Sequence, residues 1–462
     1  MKRIITYIIL GFILTVSSCQ SKLDDYGVNP NNPENSSPSL LLSSTEVGTF
    51  ANLTGDLARQ TNLFTQHVAG VDGQYQNYAR YDINENDILN SWQTLFAGTM
   101  INANQIIVTY GNENPYYEGI SQILMAMNLG LATDLWGDVP YSEAFNGLQR
   151  NFTPKFEPQE QVIADIQTLL DNAITNLKEP LTSNAFIPAA DDIIFGGDVA
   201  KWIRSAYILK ARYANRLSQV DPTGSATKAL QDLAAADLSL KELDDMKAVF
   251  YDNNPSNYNQ WAAFMDNRGY IRMGNFFINL LVTNNDPRLP FFAAKDDAGG
   301  YSGNSPSDIT TNSTSAPGPG IASNGSPLPL VTYAEAQFIA AEANLRLGNA
   351  AAAATAHNEA VTSSVRAVTG AVPPAAFVTA FASETAGTIS LQKIITQKYI
   401  ALFTQTEPYD DYRRVGIPAL TPNPNGVKPQ IPLRYPTSID ERLYNPNATV
   451  VSDNYVPVWW DK

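Results

Sequence analysis

Small residues recur at fixed offsets within the stretch AEANLRLGNAAAAATAHNEAV. Counted from Gly348, the residues Ala353, His357 and Ala360 follow at offsets of five, nine and twelve, and Ala341 precedes them. These are the small and medium positions at which the two helices of a tetratricopeptide hairpin touch. An alanine-rich helix pair with accidental spacing is the alternative. Together with the helical patterns around it, the stretch predicts a mainly α fold that forms a tetratricopeptide-like superhelix.

Three further segments have the apolar periodicity of helices that are buried on one side. In each, apolar residues recur three and four positions apart, at 162–177, 202–217 and 391–402. Basic residues alternate with the apolar ones in the second segment and predict a solvated face, with ion pairs between some arginines and acids as the alternative. These basic residues are Lys201, Arg204, Lys210, Arg212 and Arg216.

Three regions lack this periodicity. Residues 19–38 are rich in Asn, Pro and Ser, and predict a tether. Residues 293–329 consist mostly of Gly, Ser, Pro and Asn, and a structureless loop of that length is usually functional or disordered. The tail at 408–462 is rich in Pro and Tyr. We therefore expect long irregular loops and an irregular C-terminal region wrapped on the helices.

The N-terminus has the features of an export signal. Lys2 and Arg3 precede an apolar run at 4–16, which is too short to cross a bilayer because a span needs about 20 residues. The sequence VSS then leads to Cys19, the only cysteine of the chain. This segment resembles a bacterial lipobox, and the resemblance implies that 1–18 is a lipoprotein signal peptide and that Cys19 is the lipidated first residue. An ordinary secreted protein with one unpaired thiol is the alternative.

The chain is acidic, and this limits its partners. Its formal charge is −15, and removal of Lys2 and Arg3 with the signal peptide would change it to −17. A protein with this charge repels nucleic acid and anionic surfaces, so we expect no nucleic-acid partner. With a single cysteine in the sequence, the fold depends on its core rather than on disulfides.

Local motifs of catalysis are missing from the sequence. The two histidines, His67 and His357, belong to no H-E-x-x-H motif or Cys/His cluster, so we assign no metal and no cofactor. No G-x-S-x-G elbow is present either. Glycosidase carboxylates leave no local motif, because any two of the 45 acidic residues could converge. We expect a protein that is not an enzyme, with a surface glycoside hydrolase as the alternative.

Eight sequence blocks carry a resemblance to a known family. After the lipobox at Cys19 come LWGDVPYSEAF from 135, TPKFEPQEQVIADIQTLLDNAI from 153, IIFGGDVAKWIRSAYILKARYANRLS from 193, DPRLPFF from 286, TYAEAQFIAAEA from 332, QKYIALFTQTEPYDDYRRVGIPAL from 397 and IPLRYPTSIDERLYN from 431. In this order, and over nearly the whole length, the chain resembles the SusD/RagB family of Bacteroidetes nutrient-binding lipoproteins.

The resemblance implies a right-handed superhelix of tetratricopeptide-like pairs at 39–462. Its repeat core would span about 39–240 and 331–405, with a variable insertion on the ligand face at about 241–330. It further implies a non-catalytic lipoprotein, anchored in the cell outer membrane and exposed at the surface, that binds an oligosaccharide or a peptide. The implied partner is a SusC-like, TonB-dependent transporter, over which the lipoprotein sits as a lid. A tetratricopeptide scaffold that binds only proteins is another alternative.

Two segments rich in Tyr, Asn and Trp supply the candidate ligand-binding residues. Aromatic rings stack on the apolar faces of sugars, and Asn and Arg side chains hydrogen-bond the hydroxyl groups. In the family, a loop after the first helices and a mid-chain variable region build the ligand surface, and the two segments fall at those places. The predicted ligand-binding residues are Tyr75, Asn77, Tyr78, Arg80, Asn257, Tyr258, Trp261 and Arg268.

Other conspicuous residues are assigned to the fold. In DLWGDVPYSEAF, Gly137 permits the positive φ that ends a helix and Asp138 can cap the turn, so we expect Asp134 to be satisfied locally. Trp92 lies at helical spacing with neighbouring apolar residues and predicts a core position. Arg413 and Arg414 follow the acidic stretch EPYDD and predict ion pairs with it. As surface pairs these would each contribute about 0–1 kcal/mol to the free energy of unfolding.

Overall fold

A computed structural model describes residues 36–461 of the protein. Cys19, the predicted signal peptide and most of the predicted tether lie outside the described residues. Within them, no helix is long and apolar enough to span a membrane. The first helix begins at Pro38, where the predicted tether ends, and Ser37 caps it by accepting a hydrogen bond from Leu40 N at 3.4 Å.

The described chain is mainly α-helical, and its short strands pair in two places. The helices α1 to α19, in chain order, are Pro38–Thr54, Asp56–Phe64, Gly73–Ala79, Leu89–Gln93, Ile101–Gln105, Pro115–Trp136, Gln159–Leu177, Val199–Arg216, Pro222–Ala235, Gln260–Asn267, Asn275–Thr283, Leu289–Phe292, Pro319–Ala322, Tyr333–Arg346, Ala350–Thr369, Ala375–Phe381, Leu391–Ala401, Glu407–Val415 and Ile439–Tyr444. Wider π-helical turns at Thr94–Met100 and Ile106–Tyr110 flank α5. The strands β1 to β4 are Val68–Gly70, Met246–Ala248, Ile271–Met273 and Leu328–Val331.

Consecutive helices pack in pairs, which confirms the predicted tetratricopeptide-like, right-handed superhelix. α6 packs on α7, α8 on α9, and α14 on α15, and the pairs stack through α7 on α8 and α9 on α14. The predicted contact residues lie in these interfaces. Ala341, Ala353 and Ala360 have no exposed surface, His357 is 1% exposed, and Gly348 lies in the turn between α14 and α15. Small residues at these positions therefore let the two helices approach closely.

Two strand pairs connect the irregular segments to the helices. β1 pairs antiparallel with β3, Val68 opposite Met273, and β2 pairs antiparallel with β4. Residues 293–329 are largely irregular, as predicted, but they pack on the body, since Asn304 and Ser315 are buried and α13 lies among them. Trp92 is buried in the core, also as predicted. The division into a repeat core and an insertion at about 241–330 stays a prediction.

The C-terminal region is irregular apart from α18 and α19, and it wraps on the helices as predicted. Tyr435 N donates to Leu135 O at 2.8 Å, at the end of α6. Next to it, Trp136 Nε1 donates to Pro436 O at 2.9 Å. The two bonds join the end of α6 to a segment that lies about 300 positions later in the sequence.

The stretch at 134–145 is a helix end followed by a turn. Gly137 has φ +82° and ends α6, as predicted. Asp138 caps the start of the following helix rather than its own turn, because its Oδ1 accepts a hydrogen bond from Gln159 N at 2.9 Å. Glu157 holds the turn through a hydrogen bond from Tyr141 N at 2.8 Å. The stretch therefore fixes the corner between α6 and α7.

The basic face of α8 points into the protein, which corrects the predicted solvated face. Arg204, Lys210, Arg212 and Arg216 are at most 6% exposed, whereas Lys201 is partly exposed. The alternative of ion pairs with acids is therefore the right one. Periodicity cannot distinguish a solvated face from a face of ion pairs, since it shows only that polar residues share a face. It does not show whether that face meets water or carboxylates.

Arg216 lies at the centre of a buried ionic cluster. Its Nη2 lies 3.0 Å from Asp134 Oδ2 on α6, and 2.8 and 3.0 Å from Glu407 Oε2 and Asp410 Oδ2 on α18. Trp460 Nε1 donates to Asp134 Oδ1 at 3.0 Å, so the C-terminal end joins the cluster. Asp134 is thus satisfied by distant segments, not locally as predicted. The three carboxylates are spaced closely enough to hold a metal ion, but the guanidinium occupies their centre.

The neighbouring arginines extend this cluster. Arg413 pairs with Asp410, and Arg414 Nη2 lies 2.9 Å from Asp411 Oδ1, as the acidic stretch predicts. Arg414 also donates to Glu342 Oε2 on α14 at 2.7 Å. All five groups are buried, so the free energy of about 0–1 kcal/mol expected for a surface pair does not apply to them. Loss of one partner would leave an unpaired charge inside the protein.

Burial raises the pKa of Asp134 to about 8, and the charge of Arg216 opposes this shift. The folded state therefore holds a proton that the unfolded state releases above about pH 4. The contribution of Asp134 to the free energy of unfolding accordingly falls as the pH rises toward 8.

We predict that Arg216→Met lowers the free energy of unfolding by about 3–5 kcal/mol, because it leaves buried carboxylates without their cation. The matched control is Lys428→Met, since the ammonium of Lys428 lies 3.0 Å from Asp453 Oδ1 in an exposed pair. This control should lose less than about 1 kcal/mol. Urea unfolding at pH 7 measures both values. Equal, small losses in the two variants would contradict the structural role of the cluster.

Candidate functional site

The pairing of β1 with β3 brings the two predicted ligand-binding segments side by side. Residues 72–80 directly follow β1, and residues 257–268 directly precede β3. Val71 N donates to Tyr270 O at 2.8 Å. Gly73, with φ +50°, lies against the ring of Tyr270, and a Cβ at Gly73 would come within 2.3 Å of that ring. The backbone contact therefore requires a glycine and fixes the two segments against each other.

Three of the predicted ligand-binding rings lie in the core, and their predicted stacking on a ligand does not fit the structure. Tyr75 and Trp261 have no exposed surface, and Tyr78 is 3% exposed. The polar ends of two rings are satisfied inside, since Trp261 Nε1 donates to Thr54 O at 2.9 Å and Tyr75 OH donates to Asp56 Oδ1 at 2.7 Å. The physical reason is that the rings pack on other aromatic rings of the core: Tyr75 on Tyr78 and Phe264, and Trp261 on Phe403.

The other five predicted residues reach the surface and stay predictions. Asn77 and Arg80 are exposed on α3 and at its end. Arg268 is exposed at the end of α10, and its guanidinium carbon lies 5.9 Å from the ring centre of Tyr270. Exposed Asn257 and partly exposed Tyr258 precede the other end of α10. The eight residues of α10 span about 12 Å, so the five residues form two groups rather than one cluster. Asn77, Arg80 and Arg268 form the first group, and Asn257 and Tyr258 form the second.

An open groove of about 600 Å³ lies beside the first of these groups. The helix α11 forms one wall, and residues 305–307 and 421–424 contribute to the other. Asn423 joins this wall to α3, because its Nδ2 donates to Ala79 O at 2.6 Å and to Pro306 O at 2.7 Å. Asn423 is buried, so it fixes this wall of the groove against the end of α3. We call the groove with its two walls the α11 groove face.

The α11 wall of the groove combines one aromatic ring with several amides. Phe276 is partly exposed and contacts Tyr399 edge-on, with 6.0 Å between the ring centres. Asn279 Nδ2 donates to Asn275 Oδ1 at 3.0 Å, and no described residue binds Asn275 Nδ2 or Asn279 Oδ1. One amide donor, one acceptor and a ring are therefore available to a ligand. These groups suit a sugar, whose apolar face stacks on rings and whose hydroxyls need donors and acceptors.

The sequence contained a signal for this groove that composition alone does not reveal. Asn275, Asn279 and Thr283 recur every four positions along an otherwise apolar helix, so they share one face of α11. A polar stripe of this kind, rich in amides, indicates a helix face that does not pack into the core. The opposing wall comes from residues far away in sequence, so no local sequence pattern predicts that they lie beside α11.

The groove offers no groups for acid–base chemistry among its described lining residues. Neither Asp, Glu nor His lines it, whereas most glycosidases use two carboxylates across the scissile bond. His67 lies in the core, where its ring stacks on Tyr399 at 3.8 Å between the ring centres. Burial lowers the pKa of His67 to about 3, so its imidazole stays neutral at physiological pH.

Comparison with known proteins then identifies the family. Residues 30–436 match the SusD-like family model, described as starch-binding and associating with the outer membrane. The chain belongs to the SusD-like family. The resemblance drawn from the eight sequence blocks is therefore confirmed. Comparison with curated protein sequences finds no match.

Solved structures of SusD-like proteins share this fold. A SusD/RagB family protein from Bacteroides thetaiotaomicron is 24% identical, with a TM-score of 0.79 over 92% of this chain and 99% of that chain. A chitin-binding SusD homologue from Flavobacterium johnsoniae is 22% identical, with a TM-score of 0.78 over 91% of this chain and 98% of that chain. A SusD homologue from Bacteroides vulgatus is 20% identical, with a TM-score of 0.77 over 92% and 97% of the two chains.

We predict that Trp261→Ala acts on stability rather than on ligand contact. Removing this fully buried ring should lower the free energy of unfolding by about 3–5 kcal/mol, because it leaves a cavity and an unpaired Thr54 carbonyl. Tyr251→Ala, at a ring that is 51% exposed in the preceding loop, is the control and should change the same quantity by about 0.5 kcal/mol or less. Denaturant unfolding measures both. A loss at Trp261 as small as that at Tyr251 would contradict the buried position.

Proposed function

We propose that this SusD-like protein is a cell-surface lipoprotein that binds an oligosaccharide and delivers it to a SusC-like, TonB-dependent outer-membrane transporter. The α11 groove face carries the proposal, because a ring and open amides line a groove next to the predicted ligand-binding segments. The family's description as starch-binding and outer-membrane associated supports the same function. In this proposal the protein captures its ligand without catalysing a reaction.

Capture would combine stacking with hydrogen bonding. Phe276 would pack on the apolar face of a sugar ring, while Asn275 Nδ2 and Asn279 Oδ1 bind its hydroxyl groups. The groove volume of about 600 Å³ lies within the roughly 300–1,000 Å³ typical of small-molecule sites. Asn77 and Arg80, which are exposed on α3 and at its end, would bind sugar units that extend beyond the groove. An elongated ligand is therefore favoured over a monosaccharide.

Attachment to the membrane would depend on Cys19. In this proposal its lipid anchors the chain in the outer membrane, and residues 20–36 form the connection to the folded body. These seventeen residues would reach up to about 60 Å when fully extended. That length would allow the anchored body to lie over a neighbouring transporter as a lid.

Affinity electrophoresis and calorimetry with starch-derived and chitin-derived oligosaccharides test the ligand. These two polymers are chosen because the family is described as starch-binding and two similar structures are chitin-binding proteins. We predict that Phe276→Ala and Asn279→Ala each weaken binding about tenfold or more, which corresponds to about 1.4 kcal/mol. Both side chains are accessible on the groove wall, so the variants should remain folded.

The matched control is Phe152→Ala, at an aromatic residue that is 75% exposed and does not line the groove. It should bind as the wild type does. An equal loss of binding in Phe152→Ala and Phe276→Ala would contradict the groove as the binding site. Release of shortened oligosaccharides during the incubation would contradict the non-catalytic role and favour a glycoside hydrolase.

A further inference from the structure

A second cavity, of about 250 Å³, lies where β2 and β4 meet α14, α15 and α17. It shares no lining residue with the α11 groove. Most of its wall is apolar, with Phe292, Ile321, Val368 and Phe403 among the lining side chains. Two of its lining residues, Pro327 and Ala367, are exposed to solvent. The cavity is therefore a small, mostly apolar pocket at the surface.

One carboxylate in the wall of this pocket has an open acceptor. Asp245 is 8% exposed, and its Oδ1 accepts a hydrogen bond from Tyr333 N at the start of α14, at 2.7 Å. Among the described residues, no donor binds its Oδ2, and the one cation within 4.0 Å is Arg204, whose Nη2 lies 3.9 Å from Oδ1. Asp245 lines the pocket, so a ligand bound there is within reach of its carboxylate.

A basic side chain lines the same pocket. Lys247 lies on β2, two residues after Asp245, and is partly buried. It forms no ion pair with any described acid, and it lines the same pocket as Asp245. The pocket thus presents an open acceptor and an unpaired cation, with apolar side chains over the rest of its wall.

We propose that this pocket binds a hydrophobic α-amino acid such as leucine or phenylalanine. The ligand's ammonium group binds Asp245 Oδ2, its carboxylate binds the ammonium of Lys247, and its side chain packs against Phe292 and Phe403. A sugar would place hydroxyl groups against these apolar side chains, at the cost of their hydrogen bonds to water. An amine or a carboxylic acid would satisfy only one of the two charged residues.

The pH dependence of binding gives this site a signature. Burial raises the pKa of Asp245 to about 7, with the charge of Glu242 raising it further, while the Tyr333 N–H, Lys247 and Arg204 lower it. A bound ammonium group favours the carboxylate form. Affinity should therefore rise as the pH increases through 7. If only the carboxylate form binds, the affinity at pH 8 exceeds that at pH 5.5 by about 30-fold.

Isothermal titration calorimetry with leucine and with phenylalanine tests the proposal. Wild-type protein should bind at least one of them, and Asp245→Asn, which keeps the acceptor for Tyr333 N, should bind at least tenfold more weakly and without the pH dependence. Ala367→Phe adds a ring to the lining of the pocket and should abolish binding. Its control is Ala351→Phe, at an exposed alanine of the same helix that does not line the pocket, and this variant should bind as the wild type does.

Three results would overturn the proposal. The first is no binding of either amino acid to wild-type protein at about 10 mM. The second is equal binding by Ala367→Phe and Ala351→Phe, which decides the matter even if Asp245→Asn does not fold. The third is binding of isopentylamine or 4-methylpentanoate as tightly as leucine. Oligosaccharide binding at the α11 groove should be unchanged in these variants, so failure here is distinct from failure of the proposed function.

Discussion

The guanidinium of Arg216 joins segments that lie far apart in sequence. It connects α8 to Asp134 on α6 and to Glu407 and Asp410 on α18, and Trp460 binds the same Asp134. Because these charges are buried, each must find its partner inside the protein. Helix arrangements that separate the partners would leave unpaired charges in the interior. The cluster therefore selects one packing of the helical pairs and fixes the C-terminal end on them.

The α11 groove face is held in place by the packed helical pairs, which form the frame of the protein, but other segments line it. β1 follows directly on α2, and its pairing with β3 positions α11 next to the core. Asn423, from the C-terminal region, then ties residue Pro306 to the end of α3. The site thus consists of irregular chain held at a few points by a rigid body. Loops of this kind can vary in sequence while the frame stays the same.

Sequence patterns predicted the frame better than the site. The small residues around Gly348 and the periodic apolar segments identified helix pairs, since helix packing leaves a local pattern. The periodicity of α8 predicts a solvated basic face, whereas Arg216 meets carboxylates about 80 and 190 residues away, because periodicity reports only a shared face. Aromatic and amide composition predicts Trp261 as a ligand-stacking ring, but composition does not report burial. Asn275 and Asn279 are not among the predicted residues although their spacing holds the signal, since the opposite wall of their groove comes from segments far away in sequence.

We propose that this SusD-like protein is lipid-anchored and works with a transporter in the outer membrane. Isolation of the tagged full-length protein from native outer membranes in mild detergent, followed by mass spectrometry of the proteins that accompany it, tests both parts of this proposal. We expect a TonB-dependent β-barrel protein in about equal amount and a lipid-modified Cys19. Recovery of the protein alone, or from the soluble fraction with an unmodified Cys19, would show that the proposal is wrong.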